Sequence, residues 1–153
     1  MKRCRLIYRS VLQPEVLEKQ GGLSTLVAHS QRKNKQLCIS GLLLVSELNV
    51  VQVLEGPDGA VNDLYATIIH DPRHHHVRLA SFEPIGELMF EHWSMRQAQI
   101  EDFSAGMRRM FLSRYGSNQG KIFIPNDPSL LKCMLLDAQY SVLKAESADE
   151  APS

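Results

Sequence analysis

Asn49-Val50-Val51-Gln52-Val53-Leu54-Glu55-Gly56-Pro57-Asp58-Gly59 (49–59) is the stretch whose pattern decides the architecture. Val50 to Leu54 is apolar on both alternating faces, which predicts a strand covered from above and below. Gly56-Pro57-Asp58-Gly59 stops it, and Asp58 is placed to cap a helix carrying Val61, Leu64, Tyr65 and Ile68. Pro72 ends that helix, because the residue before a proline is driven out of the helical region. Gln52 is the polar exception inside the apolar run. A buried amide without partners costs about 1–3 kcal/mol, so Gln52 must find hydrogen bonds.

Working outward, Leu37 to Val45 and Asn49 to Glu55 read as strands joined through Ser46-Glu47-Leu48, a hairpin length. Cys4 to Ser10 alternates, with Cys4, Leu6 and Tyr8 on one face and Arg5, Ile7 and Arg9 on the other, the mark of a half-buried first strand. Gly21-Gly22 opens a helix whose stripe, Leu23, Leu26, Val27, Ser30 and Asn34, starts apolar and ends polar. A fourth strand is expected near His76 to Phe82 and a fifth near His92 to Gln99. The order strand, helix, strand, strand, helix, strand, strand predicts an α+β sandwich: a mixed five-stranded sheet with two helices on one face.

The second face of the 50–54 strand also needs a cover. Phe103, Met107, Met110 and Phe111 share one side of a helix, and Leu131, Met134, Leu135, Ala138 and Val142 form a longer stripe after Pro125 to Pro128. The expected organisation is a domain over residues 1–99, a C-terminal helical cap over 100–146 in the same unit, and a disordered small, acidic tail over 147–153.

Composition narrows the function. In 153 residues, 17 basic side chains balance 17 acidic ones, so no net field draws in nucleic acid or an anionic membrane. No apolar run reaches the length of a membrane-spanning helix and the first residues read as a strand, so a cytoplasmic protein is expected. Cys4, Cys38 and Cys133 form no C-x-x-C pair and are expected to be reduced core residues. The run His74-His75-His76, with His70 before it, invites a metal. Neighbouring residues of an extended segment point to opposite faces, however, and no carboxylate or thiol is suitably spaced, so no metal site is expected.

Tyr8, Ser30, Asn34 and Gln52 all face inward. Four hydrogen-bonding side chains around one apolar pocket suit a flat polar ligand, although a self-satisfied core network gives the same spacing.

At these residues the chain resembles the BLUF family, the sensors of blue light using flavin. The resemblance lies in Arg5-Leu6-Ile7-Tyr8-Arg9-Ser10, Ser30-Gln31-Arg32-Lys33-Asn34 and Ile39-Ser40-Gly41-Leu42-Leu43. It continues through Val51-Gln52-Val53-Leu54-Glu55-Gly56, Asp71-Pro72-Arg73-His74-His75 and Trp93-Ser94-Met95. Each block is weak alone; together they keep the family's order over residues 3 to about 97. The resemblance implies a ferredoxin-like sandwich that holds a flavin between the two helices, FAD by family expectation and FMN as the alternative. It also implies roles. Tyr8 corresponds to the photochemical electron and proton donor, and Gln52 to the amide linking that phenol to flavin N5 and C4=O. Asn34 corresponds to the amide on the pyrimidine edge, with Ser30 beside it, and Asp71, Arg73 and His74 to the polar group across the ring. Trp93 and Met95, expected on one face of the fifth strand, correspond to the route outward. The sequence departs from the family at Lys33, often Asn or His there, which is assigned to the ribityl or phosphate end, and at Thr67, where an arginine is usual.

Two other classes stay open at this point. One is a small enzyme on the same sandwich, acting on a phosphate or acyl group oriented by Asn34 and Arg73. It lacks an evident nucleophile–base pair and a glycine-rich phosphate loop. The other is a ligand-free adaptor whose C-terminal helices bind a partner. Nothing after the cap resembles a cyclase, phosphodiesterase or DNA-binding domain, so output through a separate protein or a change in self-association is expected, and a homo-oligomer is the expectation.

Overall fold

The computed structural model describes residues 2–19, 22–117 and 119–150. Five strands form one mixed sheet: β1 (Arg3–Leu12), β2 (Ser40–Ser46), β3 (Asn49–Pro57), β4 (His74–Ile85) and β5 (Arg96–Gln99), in the order β4-β1-β3-β2-β5. Only the β2–β5 pairing is parallel among the described residues. β3 sits at the centre, and Val50 through Gly56 are all buried, as a strand apolar on both faces requires.

One face is covered by α2 (Gly22–Gln36) and α3 (Asp58–Ile68), the arrangement of a ferredoxin-like sandwich. A five-residue helix, α1 (Pro14–Glu18), adds to this face through Val16 and has Pro14 in its first turn, where a missing N–H costs nothing. The α1 helix was not expected, since five residues carry too little periodicity to read. Leu6, Tyr8, Leu43, Val50 and Leu54 form the core here.

The other face carries α4 (Ala105–Tyr115) and α5 (Pro128–Glu150). Leu131, Met134, Leu135, Ala138 and Val142 on α5 and Phe111 on α4 pack on Ile7, Leu42, Leu44, Val51 and Val53. The expected cap is therefore in place. Ser104 caps α4 by accepting the Met107 N–H at 3.3 Å. Arg9 fastens the connection between the two helices, donating to Ile124 O at 2.8 Å and Asn126 Oδ1 at 2.7 Å.

Several expectations need correction. β1 is covered on both faces: Arg5 lies under the cap as the partner of Glu55, so a charge marks a buried position instead of a wet one. Asp58 is the first residue of α3, preceded by Pro57 at the cap, and its carboxylate accepts the Gly59 N–H. β2 starts at Ser40 because Cys38 takes a left-handed backbone, φ 59°, in the turn after α2. β4 begins at His74 and runs to Ile85, so the histidine run opens a strand. β5 starts only at Arg96, which leaves Trp93 and Met95 in the preceding loop. α5 continues to Glu150, replacing the expected disorder of 147–150 with helix; residues 151–153 lie outside the described residues. Gly21 and the side chains of Leu26 and Val27 also lie outside them. Of the three thiols only Cys4 is in the core, where burial pushes it up to about 11; Cys38 and Cys133 are exposed.

Candidate functional site

Antiparallel pairing of β1 with β3 sets Tyr8 directly opposite Gln52, and pairing of β2 with β3 sets Leu43 on its other side. Residues opposite one another share a face, so phenol and amide meet under α2 and α3. They form the floor of a cleft of about 660 Å³, its open mouth included. Leu12, Leu43, Val50, Leu64 and Ile68 make its walls apolar, and Ser30, Asn34, Asp71, Arg73 and His74 supply polar groups around them.

The Tyr8 hydroxyl donates to Gln52 Oε1, and Gln52 Nε2 points at Met95 Sδ at 3.1 Å. Tyr8 is 3% exposed and Gln52 7%. Burial raises the Tyr8 phenol far above its ordinary value, with Tyr65 and Asp71 adding to the effect, so it keeps its proton. The amide is held unevenly: its oxygen has a strong donor, whereas its nitrogen faces a thioether, a weak acceptor. Rotation of the amide would set Nε2 against the Tyr8 hydroxyl oxygen and turn Oε1 toward the thioether, which has no proton to give.

Met95 is 1% exposed and belongs to the core on the helix side of the sheet. Its carbonyl accepts from Gln31 Nε2 at 2.6 Å. Gly41 makes room for this contact, since a Cβ there would lie 2.0 Å from Val53 O and 3.2 Å from Met95 Cε. Trp93 packs instead with Phe90 on the cap side, with ring centroids 6.2 Å apart. The two residues expected on one face are thus on opposite faces, because both precede β5 and neither follows strand alternation.

Around the rim, His74 spends both ring nitrogens, Nδ1 on Ser10 Oγ at 2.9 Å and Nε2 on Ile68 O at 2.6 Å, and its ring stands edge-on to Tyr8. Asp71 and Arg73 hold each other, with Arg73 N and Nε both 2.9 Å from Asp71 Oδ1, and the hydrogen bond from the Arg73 side chain lowers the Asp71 carboxyl. Asn34 is 2% exposed and lines the cleft, yet its side chain has no partner among the described residues. Lys33, one position earlier on the helix, is exposed and lies outside the lining. Thr67 faces solvent and donates to Asp63 O.

This donor set fits a planar heterocycle with carbonyls on one edge. The walls are apolar, Asn34 is a buried amide in search of a partner, and Gln52 has a nitrogen on a weak acceptor. Sequence reading missed Tyr65, 5.6 Å from the Tyr8 ring as a tilted neighbour, and Gln31, which bonds the Met95 backbone. A long-range pair such as Gln31 with Met95 leaves no periodic trace.

Comparison with known proteins identifies the family. The profile of the BLUF family, "Sensors of blue-light using FAD", matches residues 4–96. The photoactivated adenylate cyclase subunit alpha of Euglena gracilis is 32% identical over 101 residues, which are 65% of this chain and 10% of the cyclase subunit. The blue light- and temperature-regulated antirepressor BluF of Escherichia coli (strain K12) is 35% identical over 72 residues, 47% of this chain and 17% of that protein. The chain thus spans only a small part of these curated relatives. Among solved structures, the BLUF protein BlrB in its dark state superposes with a TM-score of 0.61 at 30% identity, covering 73% of this chain and 86% of BlrB. BlsA in its ground state gives a TM-score of 0.75 at 24% identity over 89% of this chain and 87% of BlsA, a likeness of fold. Klebsiella pneumoniae BlrP1, solved with FMN and cyclic diGMP, gives 0.62 at 32% identity over 68% of this chain and 27% of BlrP1. The phenol–amide pair, the cleft above it and the match over residues 4–96 lead to one conclusion: the chain belongs to the BLUF family and is a flavin-binding sensor of blue light.

Proposed function

We propose that Tyr8 and Gln52 are the light-reactive pair of this sensor and that Met95 holds the resting orientation of the amide. The observation that carries this reading is the Gln52 side chain bridged between the Tyr8 hydroxyl and Met95 Sδ. A bound flavin supplies the absorption of blue light and, when excited, a site that accepts an electron. Tyr8 holds the proton that accompanies that electron, since burial keeps its phenol neutral. Gln52 can receive the proton on one end and release another, or turn over, because an amide both donates and accepts. Either change leaves the same atoms with a new hydrogen-bond pattern and needs no substrate.

Asn34 and Ser30 hold the ring edge on the α2 side, and Asp71, Arg73 and His74 line the opposite side. The Lys33 assignment to the ribityl or phosphate end is weaker, because its side chain lies outside the cleft. FAD is the proposed cofactor, in keeping with the family description; FMN is the alternative, and BlrP1 was solved with it. Residues 1–99 act as the sensor and 100–146 as its cap, with output to a separate protein or through self-association as a homo-oligomer. The described residues hold no helix long and apolar enough to cross a membrane. The proposed location is the cytoplasm, and the balanced charge supports a partner other than membrane or nucleic acid.

The decisive test is the absorption spectrum of purified protein loaded with FAD or FMN. A flavin band that moves to the red under blue light and returns in darkness is expected, and chromatography of the released flavin identifies it. A colourless protein that takes up neither flavin overturns the reading in favour of a ligand-free adaptor.

A further inference from the structure

The loop between β4 and β5, residues 86–95, is gripped at both ends. At one end Met95 sits against Gln52. At the other, Glu55 at the far end of β3 is 0% exposed, and its Oε1 accepts the backbone N–H groups of Met89 and Phe90, each at 2.8 Å. Its second oxygen takes Arg5 Nε at 2.7 Å, and Arg5 reaches on to Glu83 and to the Glu87 carbonyl. Met89 is also held from the cap: Gln139, in the middle of α5, donates from Nε2 to Met89 O at 2.8 Å. Met89 is therefore fixed through its N–H to the sheet and through its carbonyl to α5.

Between the two ends the loop is tied by backbone hydrogen bonds. Trp93 N bonds Phe90 O at 3.0 Å, and Trp93 O accepts from Gly41 N at 2.8 Å. These bonds make a continuous path from Met95 to the turn at residues 89–93. Phe90 and Trp93 also pack in the apolar core that α5 covers, a contact without direction, and the other polar link from this region to α5 is exposed. The Arg96–Glu146 ion pair has side chains 42% and 40% exposed, a geometry that couples little in water.

We infer that Gln139 is a positioning residue of light signalling: its hydrogen bond to Met89 O is the point through which α5 follows the state of Gln52. The inference rests on the photoreceptor reading above. In this scheme the loop carries the change across the sheet, from the helix side at Met95 to the cap side at Met89, and α5 answers by a change in the stability of its own hydrogen bonds.

The test compares amide hydrogen exchange of α5 in darkness and under blue light in the flavin-loaded full chain. Wild type, Gln139→Leu, Gln139→Glu and Glu146→Gln are measured side by side. Gln139→Glu keeps the shape and loses the donor, so it remains informative if the leucine variant folds poorly. In wild type and Glu146→Gln, light should change α5 exchange several-fold. In both Gln139 variants the red shift should persist in full while the α5 response falls at least severalfold. An α5 response of wild-type size in Gln139→Glu overturns the inference, as does a wild-type protein with a normal red shift and an unresponsive α5. A wild-type protein that binds flavin without any red shift overturns the photoreceptor reading itself, and this inference with it.

Discussion

Trp93 and Met95, two residues apart in one loop, insert into opposite cores of the sandwich: Met95 under the helices beside Gln52, Trp93 under the cap beside Phe90. The arrangement gives them different work. Met95 supplies the acceptor that the Gln52 nitrogen faces. Met95→Leu keeps the bulk and removes the sulfur, so the resting amide loses a hydrogen bond of about 0.5–1 kcal/mol. Dark recovery of the flavin spectrum should then slow by about two- to fivefold, whereas Trp93→Leu should leave the dark spectrum in place. Recovery unchanged in Met95→Leu, timed after a blue flash, would remove the sulfur from the resting state.

Tyr8→Phe deletes the only O–H directed at Gln52 Oε1 among the described residues while preserving the ring packed near Tyr65 and His74. Flavin should stay bound, because the cleft walls are intact, and the reversible red shift should vanish. The light-minus-dark difference spectrum reads this directly. A normal shift in Tyr8→Phe would take the phenol out of the photochemistry.

Asn34 is a buried amide without a side-chain partner among the described residues, an arrangement that makes sense when a ligand completes it. Losing one such contact and leaving the ligand's group unpaired costs ~1–2 kcal/mol, so Asn34→Ala should weaken flavin binding about tenfold. Flavin fluorescence quenching on titration measures it, and equal affinity in the two proteins would move the ring edge elsewhere.

Much of this could be read in the chain before folding. Val50 to Leu54, apolar on both faces, required covers above and below the sheet, and α2 with α3 and α4 with α5 provide them. Tyr8 and Gln52 were visible as polar side chains at inward positions. What escaped was whatever depends on distant contacts. Arg5 looked wet because its partner Glu55 lies 50 residues away. Trp93 and Met95 looked like strand because their spacing of two matches strand period, yet the loop is shaped by Glu55, Gly41 and Gln31, none of which is near in sequence. Lys33 followed its neighbour Asn34 by family position, whereas a one-residue step on a helix turns the side chain away from the cleft.

The phenol of Tyr8 also predicts the alkaline limit of the fold. Its value is raised above the ordinary figure near 10 by burial first, then by Tyr65 and Asp71. A raised group binds its proton more tightly in the folded chain, so its contribution is complete below about pH 10 and is lost as pH rises above that. Urea midpoints should therefore fall between neutral pH and pH values above about 10, and less steeply in Tyr8→Phe. Identical slopes in the two proteins would show that other groups set the alkaline limit.

Glu55 anchors the loop that carries Met95, and its removal tests how far the site depends on that anchor. Glu55→Ala takes from the Arg5 guanidinium, whose side chain is 6% exposed, its buried partner and leaves it only the half-exposed Glu83 and the Glu87 carbonyl, so the loss approaches that of a broken buried pair, about 3–5 kcal/mol. An Arg5→Met, Glu55→Leu double replacement removes both charges and should recover part of the loss. It cannot recover all of it, because the Met89 and Phe90 N–H groups lose their shared acceptor, at about 1–3 kcal/mol for each buried donor left unpaired. Urea unfolding should rank wild type above the double variant and the double variant above Glu55→Ala. Full recovery in the double variant would mean that Glu55 serves Arg5 alone and that the loop stays in place without it.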